Sequence, residues 1–139
     1  MKQLKKENNL IVLRFDKGEN FMDSLASWFS ENEIQSAAIL CGIGMLDNME
    51  IGRYNGIEYT KMIEEKSCEI LSLQGSLSMK EGKPFVHLHI SFADHDFTAK
   101  GGHLFAGRVS MTIELVIAPL SPGLVRKPVG GVFWQMDIG

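Results

Sequence analysis

The sequence has 139 residues, of which 45% are hydrophobic and 22% are charged, and its formal net charge is −3. This length and composition predict one globular domain, residues 1–139, with a full hydrophobic core. Because lysines and arginines are scattered and outnumbered by acids, strong autonomous binding to nucleic acid is disfavoured. No apolar run reaches the length of a membrane span, and no signal peptide opens the sequence, so we expect a cytoplasmic protein without a membrane partner.

A strand and a helix are predicted in the first part of the chain. The lysine-rich segment before residue 10 is expected to be mobile. Residues 10–15 are apolar and β-branched, which favours a strand. From Glu19 to about Asn32, apolar residues recur at intervals of three and four. That spacing predicts a helix with one buried face.

Residues 34–46 form a long apolar run, which predicts a buried strand. The tripeptide Gly42-Ile43-Gly44 lacks the third glycine of a phosphate-binding loop, and it indicates a bulge or a close approach of two backbones. The two cysteines, Cys41 and Cys68, lie in apolar segments without a Cys-x-x-Cys motif. We therefore expect both to be buried, reduced thiols.

The rest of the chain is dominated by predicted strands. Asn55-Gly56 between two strand-like runs predicts a tight hairpin, since both residues tolerate positive φ. Pro119 cannot donate to a ladder, so it ends a strand or lies at a sheet edge. The apolar residues after position 120 are expected to pack on the body or on a neighbouring subunit. Beside the histidine-containing strand described next, strands are predicted at residues 49–54, 57–63, 68–79 and 110–119.

All four histidines fall between residues 85 and 103. Residues 85–92 alternate, so His87 and His89 share one face, with their Cα atoms about 6.5–7 Å apart. Asp94-His95-Asp96 predicts a turn, and a return strand through Gly101-Gly102 would place His103 beside the first two. The plainer interpretation is a set of polar residues on a half-exposed sheet face.

Three converging neutral imidazoles make a site for zinc or a similar divalent ion, with one coordination position left open. Water, a small anionic ligand or a side chain of a partner would fill that position. Hydrolytic chemistry at such a site also needs an acid or base. The sequence offers carboxylates for this role but does not place any of them beside the metal: Asp94, Asp96, Glu69 and Glu114.

These segments together resemble the PPC domain, the plant- and prokaryote-conserved family also called DUF296. The resemblance covers nearly the whole chain, and the two histidine motifs are its most specific part. It implies an α+β fold, with a mostly antiparallel twisted β-sheet, one main helix packed on it, and assembly as a homotrimer. It rests on Gly18-Glu19 at the helix start, residues 37–44, residues 68–76, residues 84–91 and residues 101–104.

The resemblance also implies a zinc site formed by His87, His89 and His103, whereas His95 lies outside the motif. Plant relatives carry a basic arm that enters the minor groove of DNA, and this sequence has no such arm. In those relatives the domain itself resembles an oligomerisation and partner-binding module.

Three functions follow from these observations. The first is a regulatory homotrimer that meets DNA or DNA-associated proteins, which the family resemblance favours. The second is a small-molecule metalloenzyme, a hydrolase or lyase that uses zinc-bound water. The third is a structural or ligand-binding trimer in which the ion joins strands. Because no nucleophile motif is present, we favour the non-enzymatic functions.

Overall fold

The computed structural model describes residues 1–131 and 133–139. Within these residues, one helix and nine strands form an α+β fold, as predicted. The elements in chain order are β1 Lys2–Glu7, β2 Leu10–Asp16, α1 Phe21–Glu31, β3 Ala37–Tyr54, β4 Tyr59–Glu64, β5 Cys68–Lys80, β6 Lys83–Ala93, β7 Ala99–Pro119, β8 Leu124–Gly130 and β9 Phe133–Ile138.

The strands form one sheet that is antiparallel except where β8 meets β5 at the pair Met79 and Val125. Four of them form a closed ring, because β5 and β7 each pair with both β3 and β6. The long strand β7 also pairs with β2, which continues the sheet to β1. The inward positions of the four central strands supply much of the hydrophobic core.

The single helix forms where the spacing predicted it. Asn20 caps its start, with Oδ1 accepting from the backbone N–H of Asp23. At its end the Asn32 side chain donates to the carbonyl of Trp28 at 2.9 Å. The helix packs against β6 and β7. Its apolar stripe is buried in the core through Phe21, Leu25, Trp28 and Phe29.

Strand β3 corrects two expectations from the sequence. Its 18 residues run through the Asp47-Asn48 segment, where the sequence predicted a break between two strands. Asn48 takes a positive φ of 49°, and the register of β3 on β7 shifts there, so a bulge replaces the break. The outward residues of β3 are not buried in this chain: Ile43 and Cys41 are exposed, whereas Cys68 is buried as predicted.

The glycine motif within β3 marks a close backbone approach, as predicted. Gly44 has a φ of +137°, and a Cβ built on it would lie 2.1 Å from the carbonyl oxygen of Thr112 on β7. Only glycine satisfies both conditions.

The N-terminal segment was expected to be mobile, and this was wrong. Residues Lys2–Glu7 pair with β2, and the terminal amine of Met1 contacts the carboxylate of Glu19. Among the described residues, no helix is long and apolar enough to cross a membrane.

Candidate metal centre

The site is built on the hairpin that joins β6 to β7. Its turn is fixed by Asp94, whose Oδ1 accepts from the backbone N–H groups of Asp96 and Thr98 at 2.9 Å. The other carboxylate oxygen lies 2.8 Å from Nζ of Lys100. This lysine, together with the backbone donors, lowers the pKa of Asp94 to about 2. The turn sets the register in which His89 on β6 lies opposite His103 on β7.

Three histidines meet on the outer face of this hairpin. Each of them offers a ring nitrogen, and these atoms lie within 4.8 Å of one another. The ring centroids are separated by 5.1 Å for His87 and His89, 4.9 Å for His87 and His103, and 5.6 Å for His89 and His103. A tetrahedral zinc ion would hold such nitrogens about 3.3 Å apart, so the rings would have to draw closer together to bind it.

The electrostatics of His87 and His103 suit a metal ligand, which must be unprotonated. Burial, followed by the charges of His87, His89 and Lys61, lowers the pKa of His103 to about 4. Burial and the neighbouring Arg126 also lower the pKa of His87. The Nδ1 atom of His103 is buried and has no hydrogen-bond partner within the described chain. An unsatisfied nitrogen of this kind fits a site that takes an ion.

Two of the three histidines, His87 and His103, lie at one side of a cavity of about 510 Å³. Aromatic rings form much of its wall, and the ring centroids of Phe105 and His103 are 4.3 Å apart. The terminal hairpin β8–β9 closes part of it. The principal lining side chains are Tyr59, Lys80, Phe85, His87, His103, Phe105, Arg126, Phe133 and Trp134.

Arg126 is the polar group that links the terminal hairpin to the histidines. Its Nε donates to Oγ of Ser78 at 3.0 Å, and its Nη2 donates to Oγ of Ser76 at 3.2 Å. The same Nη2 lies 3.4 Å from Nδ1 of His87. Its Nη1 also donates to the carbonyl of Trp134 at 3.4 Å. The guanidinium group is therefore held beside the candidate metal centre by two hydroxyl groups on β5 and one carbonyl group on β9.

The structure brings together the three histidines that the sequence singled out, and it places His95 in the separate turn with Asp94 and Asp96. The candidate acids and bases are elsewhere. Asp94 pairs with Lys100, whereas Glu69 and Glu114 face outward from β5 and β7. No carboxylate is among the described residues that line the cavity.

The sequence did not point to Arg126 or Trp134, which also line this site. Both lie more than 20 residues beyond His103 in a tail with several glycines and prolines. The apolar character of the tail was the one signal in the sequence. It predicted that the tail packs, but it did not identify the histidine site as the surface on which it packs.

Residues 3–121 match the family model of the Plants and Prokaryotes Conserved (PCC) domain. Because the match spans well over half of the chain, the protein belongs to this family, which is the one that its histidine motifs resemble. No curated protein matches the chain.

Several solved structures share the fold. The plant- and prokaryote-conserved protein of Pyrococcus horikoshii is 30% identical, with a TM-score of 0.82 and 92% of each chain covered. A metal-containing protein of Archaeoglobus fulgidus is 33% identical, with a TM-score of 0.81, and the match covers 97% of this chain and 99% of that one. A candidate DNA-binding protein of Bacteroides thetaiotaomicron has a TM-score of 0.89 at 23% identity, and the match covers 96% of this chain and 95% of that one. At this identity the likeness concerns the fold alone.

Proposed function

We propose that this protein is a homotrimeric zinc-binding PPC-domain protein that acts as a regulatory, partner-binding module. The observation that carries the proposal is the meeting of His87, His89 and His103, with one nitrogen of each within 4.8 Å of the others. Zinc would be held by these three rings and would supply a Lewis-acidic centre with an open position. The metal-containing protein of A. fulgidus, one-third identical, supports this choice.

The trimer is supported by apolar side chains on the outer face of the central sheet. Ile43 on β3 lies opposite Glu114 on β7, and both point away from the core. Large apolar residues rarely gather on a surface that stays in water. In the single chain these side chains have exposed fractions of 44% for Leu40, 57% for Ile43, 53% for Leu71 and 59% for Met111.

Direct DNA binding is the less favoured role of the module. The net charge of −3 provides no broad positive surface for phosphates. A gel-shift series between 50 and 200 mM salt tests this. We expect no retained complex with A·T-rich duplex DNA, whereas binding that weakens steeply with salt would assign direct DNA contact to the protein.

Metalloenzyme activity is a second candidate, which the cavity beside the histidines favours. Zinc-bound water can reach a pKa near 7 and attack a small molecule. However, the described lining of the cavity lacks a carboxylate to act as general acid or base. Ligand binding therefore fits the site better than hydrolysis.

The proposal is tested by zinc titration against a chelator, with oligomer mass measured on the same samples. His89→Ala removes one ligand from an exposed position without opening the core. We expect its zinc affinity to fall by more than the ~100-fold that loss of a merely orienting partner costs. His95→Ala, the matched control in the turn, should leave zinc affinity unchanged. Wild-type zinc affinity in His89→Ala would refute the site.

The same samples separate a structural ion from a functional one. If His89→Ala loses zinc and falls apart into monomers, the ion holds the assembly together. If it loses zinc and remains a trimer, the ion serves ligand or partner binding, which is the result we expect because the apolar outer face is independent of the histidines.

A further inference from the structure

Arg126 is a half-buried cation without a carboxylate partner among the described residues. A half-buried charge that has no ion-pair partner is costly. Its neighbour Lys127 faces the other way and pairs with Asp137 at 2.6 Å. The hydroxyl groups of Ser76 and Ser78 hold the guanidinium group in place but do not neutralise it.

The contact between Arg126 and His87 is incompatible with a metal ion on that histidine. Arg126 only donates hydrogen bonds, so Nδ1 of His87 must offer its lone pair across the 3.4 Å contact. If Nδ1 binds the ion, the lone pair is used. If Nε2 binds it, a neutral ring carries its proton on Nδ1. In either case Nη2 of Arg126 loses this acceptor when a metal binds.

The released donor faces a cavity that favours an anion with an apolar body. Lys80 adds a second positive charge, 4.1 Å from the centre of the Trp134 ring and 5.3 Å from that of Phe85. The guanidinium carbon of Arg126 lies 5.5 Å from the Phe85 ring centre. The described lining thus combines two cations, aromatic walls and no carboxylate.

We propose that this cavity binds a small monocarboxylate with a flat apolar body, one carboxylate oxygen at the open position of the metal and the other on Arg126. The inference rests on the proposed zinc site. The Nη2 donor that His87 no longer accepts would bind this second oxygen in a charge-assisted hydrogen bond. The body of the ligand packs against Phe85 and Trp134, and Lys80 lies at the same end of the cavity.

The test is calorimetric titration of the zinc-loaded and zinc-free protein with benzoate, and with benzamide as an uncharged analogue of the same shape. We expect benzoate to bind the zinc-loaded form. Its affinity should exceed that of benzamide by about tenfold or more, the scale of a charge-assisted hydrogen bond. The zinc-free protein, in which Arg126 keeps its contact with His87, should bind benzoate at least about tenfold more weakly.

Two variants test the role of Arg126. Arg126→Met keeps an unbranched apolar stem and removes the charge. Arg126→Lys keeps the charge but lacks the planar group that bonds Ser76, Ser78 and the ligand together. Both should weaken benzoate binding about tenfold or more while leaving zinc content at the wild-type level. Lys127→Met, on the opposite face of the same strand, should leave benzoate affinity unchanged. Circular dichroism of each variant establishes that the fold is retained.

The outcomes are distinguishable. A wild-type protein that takes up no zinc defeats the proposed function itself. If the zinc-loaded protein does not bind benzoate, or binds benzamide equally well, the carboxylate site is refuted while the zinc site stands. Equal benzoate affinity in Arg126→Lys and the wild type, or equal affinity with and without zinc, also overturns it.

Discussion

The carbonyl oxygen of His87 packs directly against Gly75, and a Cβ built on that glycine would lie 1.9 Å from it. The two residues are on the paired strands β5 and β6, with Gly75 opposite Leu88 in the register. The backbone that carries the first metal-ligand candidate is therefore seated on a position that admits no side chain.

Gly75→Ala should disturb both stability and the metal centre. The added methyl group must push β6 away, and such overpacking costs about 1–3 kcal/mol in the free energy of unfolding. Because His87 moves with the backbone, zinc affinity should fall as well. Gly107→Ala is the control, since its nearest obstacle is the flexible end of Leu46 at 3.2 Å. Urea denaturation and zinc titration of the two variants test this. Equal stability and equal zinc affinity in Gly75→Ala and Gly107→Ala would contradict the prediction.

Ile43→Glu should dissociate the proposed trimer. If the outer apolar face is its contact surface, a carboxylate there would have no partner and would have to be dehydrated. We expect light scattering to show the 15.5 kDa chain as a monomer with its circular dichroism retained. Ile57→Glu, at the 83% exposed tip of the β3–β4 hairpin, makes the same exchange away from the outer face. If both variants keep the oligomer of the wild type, the interface lies elsewhere.

Asp94→Asn should make the hairpin turn less stable in a pH-dependent manner. The pKa of Asp94 is lowered from 3.8 to about 2, so its ionised form stabilises the folded state above pH 4, and that contribution is lost as the pH falls towards 2. Asparagine keeps the acceptor for Asp96 and Thr98 but loses the charge that faces Lys100.

Denaturation midpoints at neutral and acidic pH test this contribution of Asp94. The difference in denaturation midpoint between wild type and Asp94→Asn should be largest at neutral pH and should disappear near pH 2. Asp96→Asn serves as control, because that exposed carboxylate contacts only His95 among its described ion-pair partners. A gap that stays constant over the whole pH range would be inconsistent with the role of the charge.

The candidate metal centre was predictable because its geometry is local. Alternation placed His87 and His89 on one face, and a short turn followed by a return strand made it possible for His103 to lie near them. The Arg126 contact was not predictable, since it depends on a terminal hairpin that reaches β5 through the bridge between Met79 and Val125, two residues 46 positions apart in the sequence.

Two errors in the fold have different physical causes. Strand β1 carries exposed, mostly charged residues, so it has no hydrophobic period, and pairing with the backbone of β2 holds it. In β3, the apolar character of Ile43 predicted burial within the chain. Hydrophobicity alone does not distinguish a residue that packs inside its own chain from one that lies on the surface of that chain.

The central claim is that His87, His89 and His103 hold one ion. Anomalous diffraction from crystals of the zinc-loaded protein, recorded on both sides of the zinc absorption edge, tests it most directly. The account predicts one peak per chain, about 2.0–2.1 Å from a ring nitrogen of each histidine. A peak elsewhere, or none at this position in zinc-treated crystals, would contradict it.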